Sequence, residues 1–187
     1  MPVTDPYSQR NPMWTNRPLG EGTGLTIGKY GCLLCSAARM AMQMSEVNWT
    51  PWELNRALVS AGGYNAKGEM IFAKMAQATG LHFDRRDDYW SRYFLPEDAL
   101  IYEAELAAGA GILVKVDSEP FVKDVQQHWV QLVRVNKFPT PGCGPFHGWV
   151  AYDPWYGETV EIGQFYGPYR RYLDKPLWAV VVFRSHP

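Results

Sequence analysis

From Cys32 to Met44 the chain is apolar with few breaks: Leu33, Leu34, Ala37, Ala38, Met40, Ala41, Met42 and Met44 leave only Arg39 and Gln43 charged or strongly polar. These are good helix formers, and a run without a broad polar face predicts a helix buried in the middle of the domain. The stretch before Cys32 is rich in glycine and is expected to be irregular. After the apolar run, Thr50-Pro51-Trp52-Glu53 combines an N-cap hydroxyl, a proline at the first helical position and a glutamate that can return a hydrogen bond to the cap. Leu54, Ala57, Leu58 and Ala61 then recur at helical spacing until Gly62-Gly63. A third helix is predicted over Glu69–Thr79, burying Ile71, Phe72, Met75, Ala76 and Ala78, and a fourth over Pro96–Ala108. Leu81–Phe94 has no clean period, and its mixed charges suit a solvated face, so it is assigned to neither helix nor strand.

Beyond Gly111 the period changes. Ile112–Asp117, His128–Val135, Gly148–Tyr152, Glu158–Ile162 and Leu177–Arg184 are β-branched or aromatic runs bounded by Gly, Pro and Asp. Helices followed by strands predict an α+β fold, a helical lobe with a central buried helix packed on a C-terminal antiparallel sheet. The expected plan is one domain over 1–187: an irregular segment at 1–31, a helical lobe at 32–110 and a sheet lobe at 111–187. Tyr7, Met13, Trp14 and Leu19 are the residues expected to fasten the first segment down.

Composition narrows the partners. With 187 residues and a formal net charge of −1, charges of both signs are interspersed, which leaves no basic footprint for nucleic acid. No cationic amphipathic segment or long apolar stretch points to membrane contact. The opening residues lack a basic-then-apolar leader pattern, so synthesis in the cytoplasm without a signal peptide is expected. Three cysteines argue against a disulfide framework and leave at least one thiol free.

Cys32 is the residue through which chemistry enters. On the first turn of the predicted helix, the unpaired N–H groups and the helix dipole favour its thiolate, which is the nucleophilic form. Gly31 before it permits a close backbone approach. A cysteine nucleophile needs a base, and the base needs an orienting group. His128 opens a predicted strand, with Val130 and Leu132 on its own face. Asp153 ends the next strand and starts the Asp153-Pro154-Trp155 turn, so in a meander it lies beside the start of the His128 strand. Each residue also has an ordinary reading: a small buried cysteine, a strand histidine, a turn aspartate capping its own backbone.

Taken together, these segments resemble the papain-like cysteine peptidases, in particular the branch similar to the double-glycine leader peptidases that trim bacteriocin precursors, many of whose relatives occur in bacterial and bacteriophage proteins. Tyr7–Thr15 (YSQRNPMWT) is similar to that group's opening segment, Thr26–Ala41 to its nucleophile segment and Thr50–Leu58 to the helix that follows. His128–Val135 and Val150–Gly157 are similar to its histidine strand and Asp-Pro turn. The resemblance implies a papain-like fold, Cys32 as nucleophile, His128 as base, Asp153 as its orienter and Gln9 as oxyanion donor. It implies a peptide or protein substrate, no cofactor, and contexts that include a phage particle. The chain departs from the family pattern in the long Pro12–Gly31 stretch between Gln9 and Cys32, and in Cys-Leu-Leu where Cys-Gly-Pro is common.

Two other readings compete. One is a catalytically silent module of the same fold that serves as a structural or binding component. The other is a zinc site built from Cys32, Cys35, Cys143 and His147, whose three thiols and one imidazole form a reasonable tetrahedral set.

Overall fold

The computed structural model describes residues 5–89, 96–119, 126–135, 148–166 and 177–185. Among these residues the chain forms an α+β fold of six helices and one six-stranded antiparallel sheet. The helices are α1 (Ile27–Tyr30), α2 (Cys32–Met44), α3 (Pro51–Ser60), α4 (Phe72–Thr79), α5 (Pro96–Ala107) and α6 (Ile162–Phe165). The strands are β1 (Leu81–Asp88), β2 (Gly111–Asp117), β3 (Gln127–Val135), β4 (Trp149–Asp153), β5 (Glu158–Glu161) and β6 (Leu177–Ser185), in the spatial order β1-β6-β2-β3-β4-β5.

The sheet is covered on both faces. Leu113, Trp129, Val181 and Phe183 pack against α2, α3 and α4, whereas Ile112, Val114, Val130, Leu132 and Trp149 pack against Ala99 and Tyr102 of α5. β6 lies between β1 and β2, and Val180, Val181, Val182 and Phe183 are fully buried. Its continuous apolar run therefore follows from burial on both sides, at roughly 1.5–3 kcal/mol for each large side chain removed from water.

α2 lies across the sheet against β2 and β3. Its few polar residues face the strands and fix its position. Ser36 Oγ donates to the Trp129 carbonyl at 3.1 Å, and Arg39 donates to Gln131 Oε1 at 2.7 Å while lying 4.5 Å over the Tyr152 ring. Gln131 Nε2 in turn donates to Gln43 Oε1 at 2.6 Å. α3 starts with the expected capping box, Thr50 Oγ1 accepting from the Glu53 N–H and Glu53 accepting from the Thr50 N–H.

Several expectations are corrected. Leu81–Asp88 is an edge strand, so helices and strands are not fully segregated along the chain. A bulge between Phe83 and Arg85 reverses the side-chain phase, putting Arg86 and Asp88 opposite Val181 and Ala179 on the α2 face. Arg85 and Asp87 turn to the α5 face, where they meet Glu105 and Tyr102. α5 itself covers the face of the sheet opposite α2, so 32–110 is not one contiguous lobe. Ile27–Tyr30 forms a helical turn inside the segment expected to be irregular, α4 begins at Phe72 with Ile71 exposed, and Met13 is exposed. β5 stops at Glu161, because its side chain caps α6 by accepting from the Gly163 and Gln164 N–H groups. Tyr7, Trp14 and Leu19 are buried as expected.

Gly31 joins α1 to α2. Its φ of −87° is open to any residue, but a Cβ there would stand 2.4 Å from the Ile27 carbonyl oxygen. The close approach that the sequence suggested is therefore to the preceding turn. Gly31→Ala is expected to destabilise the fold by about 1–3 kcal/mol, the cost of overpacking against backbone, as measured by denaturant unfolding.

Candidate functional site

The first turn of α2, the start of β3 and the end of β4 meet at one end of the sheet. Cys32 opens α2 and is partly exposed, while Cys35 one turn later is fully buried. Burial alone would raise the Cys32 thiol pKa, but the adjacent His128 imidazole and the backbone N–H groups of Trp129 and Leu33 outweigh it and lower the pKa. Cys35 has no such partners, and burial pushes its thiol well up.

His128 is 7 % exposed and Asp153 fully buried. His128 Nε2 lies 2.9 Å from Asp153 Oδ1. With Nε2 committed to the carboxylate, Nδ1 is the ring nitrogen left for the Cys32 sulfur. Burial opposes a charge on the ring, yet Asp153 on one side and Cys32 on the other raise the His128 pKa to about 10. The arrangement therefore favours a thiolate–imidazolium pair, in which the proton of the thiol resides on the ring.

Asp153 makes contacts in both directions. Oδ1 accepts the Trp155 N–H at 2.8 Å in the turn and also faces the imidazole; Oδ2 accepts the hydroxyl of Tyr166. Burial would raise its pKa, but the His128 contact and charge, the Tyr166 hydroxyl and the Trp155 N–H hold the carboxyl below the usual carboxylate range. Tyr166, the C-cap of α6, is the site residue that sequence reasoning missed. Its ring centroid lies 6.2 Å from that of His128. No motif surrounds it; only its aromatic neighbours Phe165 and Tyr156, stacked edge-on beside the turn, set it apart.

Gln9 reaches this end of the sheet despite the long stretch before Cys32. The intervening residues double back on themselves: Pro18 and Thr26 form an antiparallel bridge, the Ile27 N–H donates to the Arg17 carbonyl, and the Gly28 N–H donates to Thr15. Glycine is required at position 28, where a Cβ would stand 2.1 Å from Thr15 Oγ1. Gln9 is thereby held between the two halves of the site. Its N–H donates to the Pro154 carbonyl at 2.9 Å, and Nε2 donates to the Gly28 carbonyl at 3.0 Å, one turn before Cys32. Ser8 Oγ donates to the Pro154 carbonyl as well, and the Tyr152 hydroxyl to Asp5.

A cleft of about 600 Å³ opens beside Cys32, walled by Leu33, Phe72 and Trp129 on its apolar side. Among the described residues no group of three or more His, Cys, Asp and Glu side chains is placed to hold a metal ion. Cys143 and His147, half of the zinc set considered above, lie outside the described residues. No helix among the described residues is long and apolar enough to cross a membrane. Comparison with protein-family models, characterised proteins and solved structures found no match to this chain.

Proposed function

We propose that this protein is a cysteine peptidase or amide hydrolase of papain-like type, acting on a peptide or related amide through Cys32, His128 and Asp153. One observation carries this reading: a single imidazole is tied by Nε2 to a buried carboxylate at 2.9 Å and lowers the pKa of a partly exposed thiol at a helix N-terminus. That is the order nucleophile, base, orienter.

In the proposed reaction the Cys32 thiolate attacks the scissile carbonyl carbon, forming a C–S bond while the carbonyl π electrons move to oxygen. The backbone N–H groups at the start of α2 face the developing oxyanion. Collapse of the tetrahedral species breaks the C–N bond, and the His128 imidazolium gives its proton to the leaving nitrogen. The neutral ring then takes a proton from water, whose oxygen attacks the thioester and releases the acid and the thiolate. Asp153 keeps the ring oriented and supports its charge throughout. An amide nitrogen carries two N–H groups, and the Gly28 contact uses one, so Gln9 retains a second donor for the oxyanion.

A peptide aldehyde, which forms a tetrahedral hemithioacetal with the active thiolate, tests this without a known substrate. Wild type is expected to capture it reversibly at Cys32 and Cys32→Ala to lose capture. Gln9→Ala is expected to weaken capture by roughly 2.7–4 kcal/mol while leaving simple alkylation of Cys32 almost unchanged. Failure of Cys32 to form the adduct would overturn the enzymatic reading in favour of a silent module. An unchanged aldehyde affinity in Gln9→Ala would reduce Gln9 to an anchor of the N-terminal segment.

A further inference from the structure

The second cysteine of α2 is a nucleophile that the proposed chemistry does not use. Cys32 and Cys35 stand three residues apart on the first turn of the helix, which the Cys35 N–H closes by donating to the Gly31 carbonyl at 2.9 Å. Helix geometry puts the Cα atoms of such a pair about 5 Å apart, inside the roughly 4.4–6.8 Å that a disulfide spans. Their Cβ atoms, about 5–6 Å apart on a regular helix, have to approach by about 1–2 Å. Cys35 is held too firmly to supply that movement, because its side chain is part of the core and the hydroxyl of Ser36 beside it bonds the Trp129 carbonyl. Cys32 is not. It is the first residue of α2, follows a glycine and belongs to the turn whose N–H groups have no partner within the helix.

The two thiols differ in access. Cys32 is partly exposed and lines the cleft of about 600 Å³, whereas Cys35 is 0 % exposed. An oxidant that enters the cleft therefore meets Cys32, and Cys35 reacts only with what Cys32 has become. The electrostatics agree with this closeness: a charge on Cys32 acts on Cys35 and raises its pKa beyond the effect of burial. Cys35 is thus kept as a neutral thiol until a reactive sulfur forms beside it. Accessible thiols of low pKa with a second cysteine close by are the ones that oxidise reversibly.

We propose that Cys32 and Cys35 are a redox pair, in which a hydroperoxide oxidises Cys32 and Cys35 resolves the product into a Cys32–Cys35 disulfide that switches the site off reversibly. The Cys32 thiolate attacks the terminal oxygen of the hydroperoxide, an S–O bond forms and the O–O bond breaks. Sulfur gives up two electrons and becomes the sulfenic acid; the departing oxygen takes the proton of the His128 imidazolium and leaves as an alcohol, or as water when the oxidant is hydrogen peroxide. The Cys35 sulfur then attacks the Cys32 sulfur, the S–O bond breaks, and hydroxide leaves with the Cys35 proton as water. A dithiol reverses the change by exchange: it ends as its own disulfide and returns one proton to Cys35 and one to His128. The pair rests on Cys32 being the reactive thiol of the proposed site, which iodoacetamide labelling of the untreated protein, Cys32 ahead of Cys35, tests by itself.

Both cysteines fall in one tryptic peptide, Tyr30–Arg39, since Lys29 and Arg39 are the cleavage points. After treatment with hydrogen peroxide at neutral pH, that peptide from wild type is expected to be lighter by two hydrogens and to take no iodoacetamide under denaturing conditions. Once dithiothreitol has been added it should take two labels, and the reactivity of Cys32 in the folded protein should return in full. In Cys35→Ala, Cys32 should go on to the sulfinic and sulfonic acids, so that the reactivity recovered by dithiothreitol falls on the order of tenfold. A wild-type Cys32 that is left unoxidised, carried to the sulfinic acid beside a free Cys35, or bridged to Cys143 or to a second chain overturns the proposal whether or not the variant folds. Recovery in Cys35→Ala equal to that of wild type does so too. A Cys32 that fails to label ahead of Cys35 before any oxidant is added would instead remove the reactive thiol on which the proposal stands.

Discussion

His128→Ala is expected to raise the pH midpoint for alkylation of Cys32, which in wild type lies below the roughly 8.5 of a free thiol, and to slow alkylation at pH 6 on the order of a hundredfold. The direction follows from the balance at the sulfur. Burial favours the neutral thiol, and the His128 imidazole supplies the largest opposing influence, ahead of the Trp129 and Leu33 N–H groups. Without the ring only those N–H groups and the helix dipole are left to oppose burial. Cys35 is an internal control: its thiol is fully buried and pushed well up in pKa, so it should stay slow in wild type and variant alike. Rates read at each cysteine by mass spectrometry across pH 5–10 decide the matter. Coincident Cys32 profiles in wild type and His128→Ala would show that the ring does not support the thiolate and would remove His128 from the site.

The parts of this site that were legible in the sequence are those where a local signal and its structural cause coincide. The break from glycine-rich to apolar sequence at Cys32 is visible because helix propensity changes there, and α2 begins at that residue. His128 and Asp153 could be brought together because consecutive antiparallel strands of a meander are neighbours; β3 and β4 do pair, and Asp153 ends β4. β1 was hidden because a bulge breaks its alternation. Phe83 and then Arg86 and Asp88 share a face, which no strict period of two contains. Its charges suit an exposed edge, where they discourage pairing with another chain, and so resemble a solvated loop. The side of the sheet that α5 covers was not legible either, since Leu100 and Ile101 stay exposed while Ala99 and Tyr102 are buried. Tyr166 could not be found because its role depends on where α6 places the end of a turn, and Gln9 could be named only through the resemblance. The return of residues 12–31 to Gly28 is a long-range result of backbone pairing that no local pattern encodes.

Asp153→Ala is expected to cost about 3–5 kcal/mol of stability, because it leaves the buried His128 ring without its counter-charge and strands the Tyr166 hydroxyl and Trp155 N–H donors. Asp153→Asn separates charge from geometry. The Trp155 N–H selects an acceptor at the Oδ1 position, so the asparagine carbonyl takes that place and still faces His128 Nε2, while its amino group meets a Tyr166 hydroxyl that can rotate to accept. The ring orientation survives and the ion pair does not. In wild type the His128 pKa is raised from 6.5 to about 10, so its stabilising contribution is complete below about 6.5 and fades as pH climbs towards 10. The Asp153 pKa is lowered, so its contribution is present above the unfolded carboxyl value of about 3.9 and is lost as pH falls further. The stability gap between wild type and Asp153→Asn should therefore be widest at about pH 4–6.5 and shrink on the alkaline side. With less negative charge beside the ring, the imidazolium is weaker support for the thiolate, so the Cys32 midpoint should rise, though less than in His128→Ala. Urea unfolding across pH, together with alkylation profiles of both variants, measures the two effects separately. A stability gap independent of pH between 5 and 9 would mean that Asp153 acts as a turn cap alone, with no ion pair to His128.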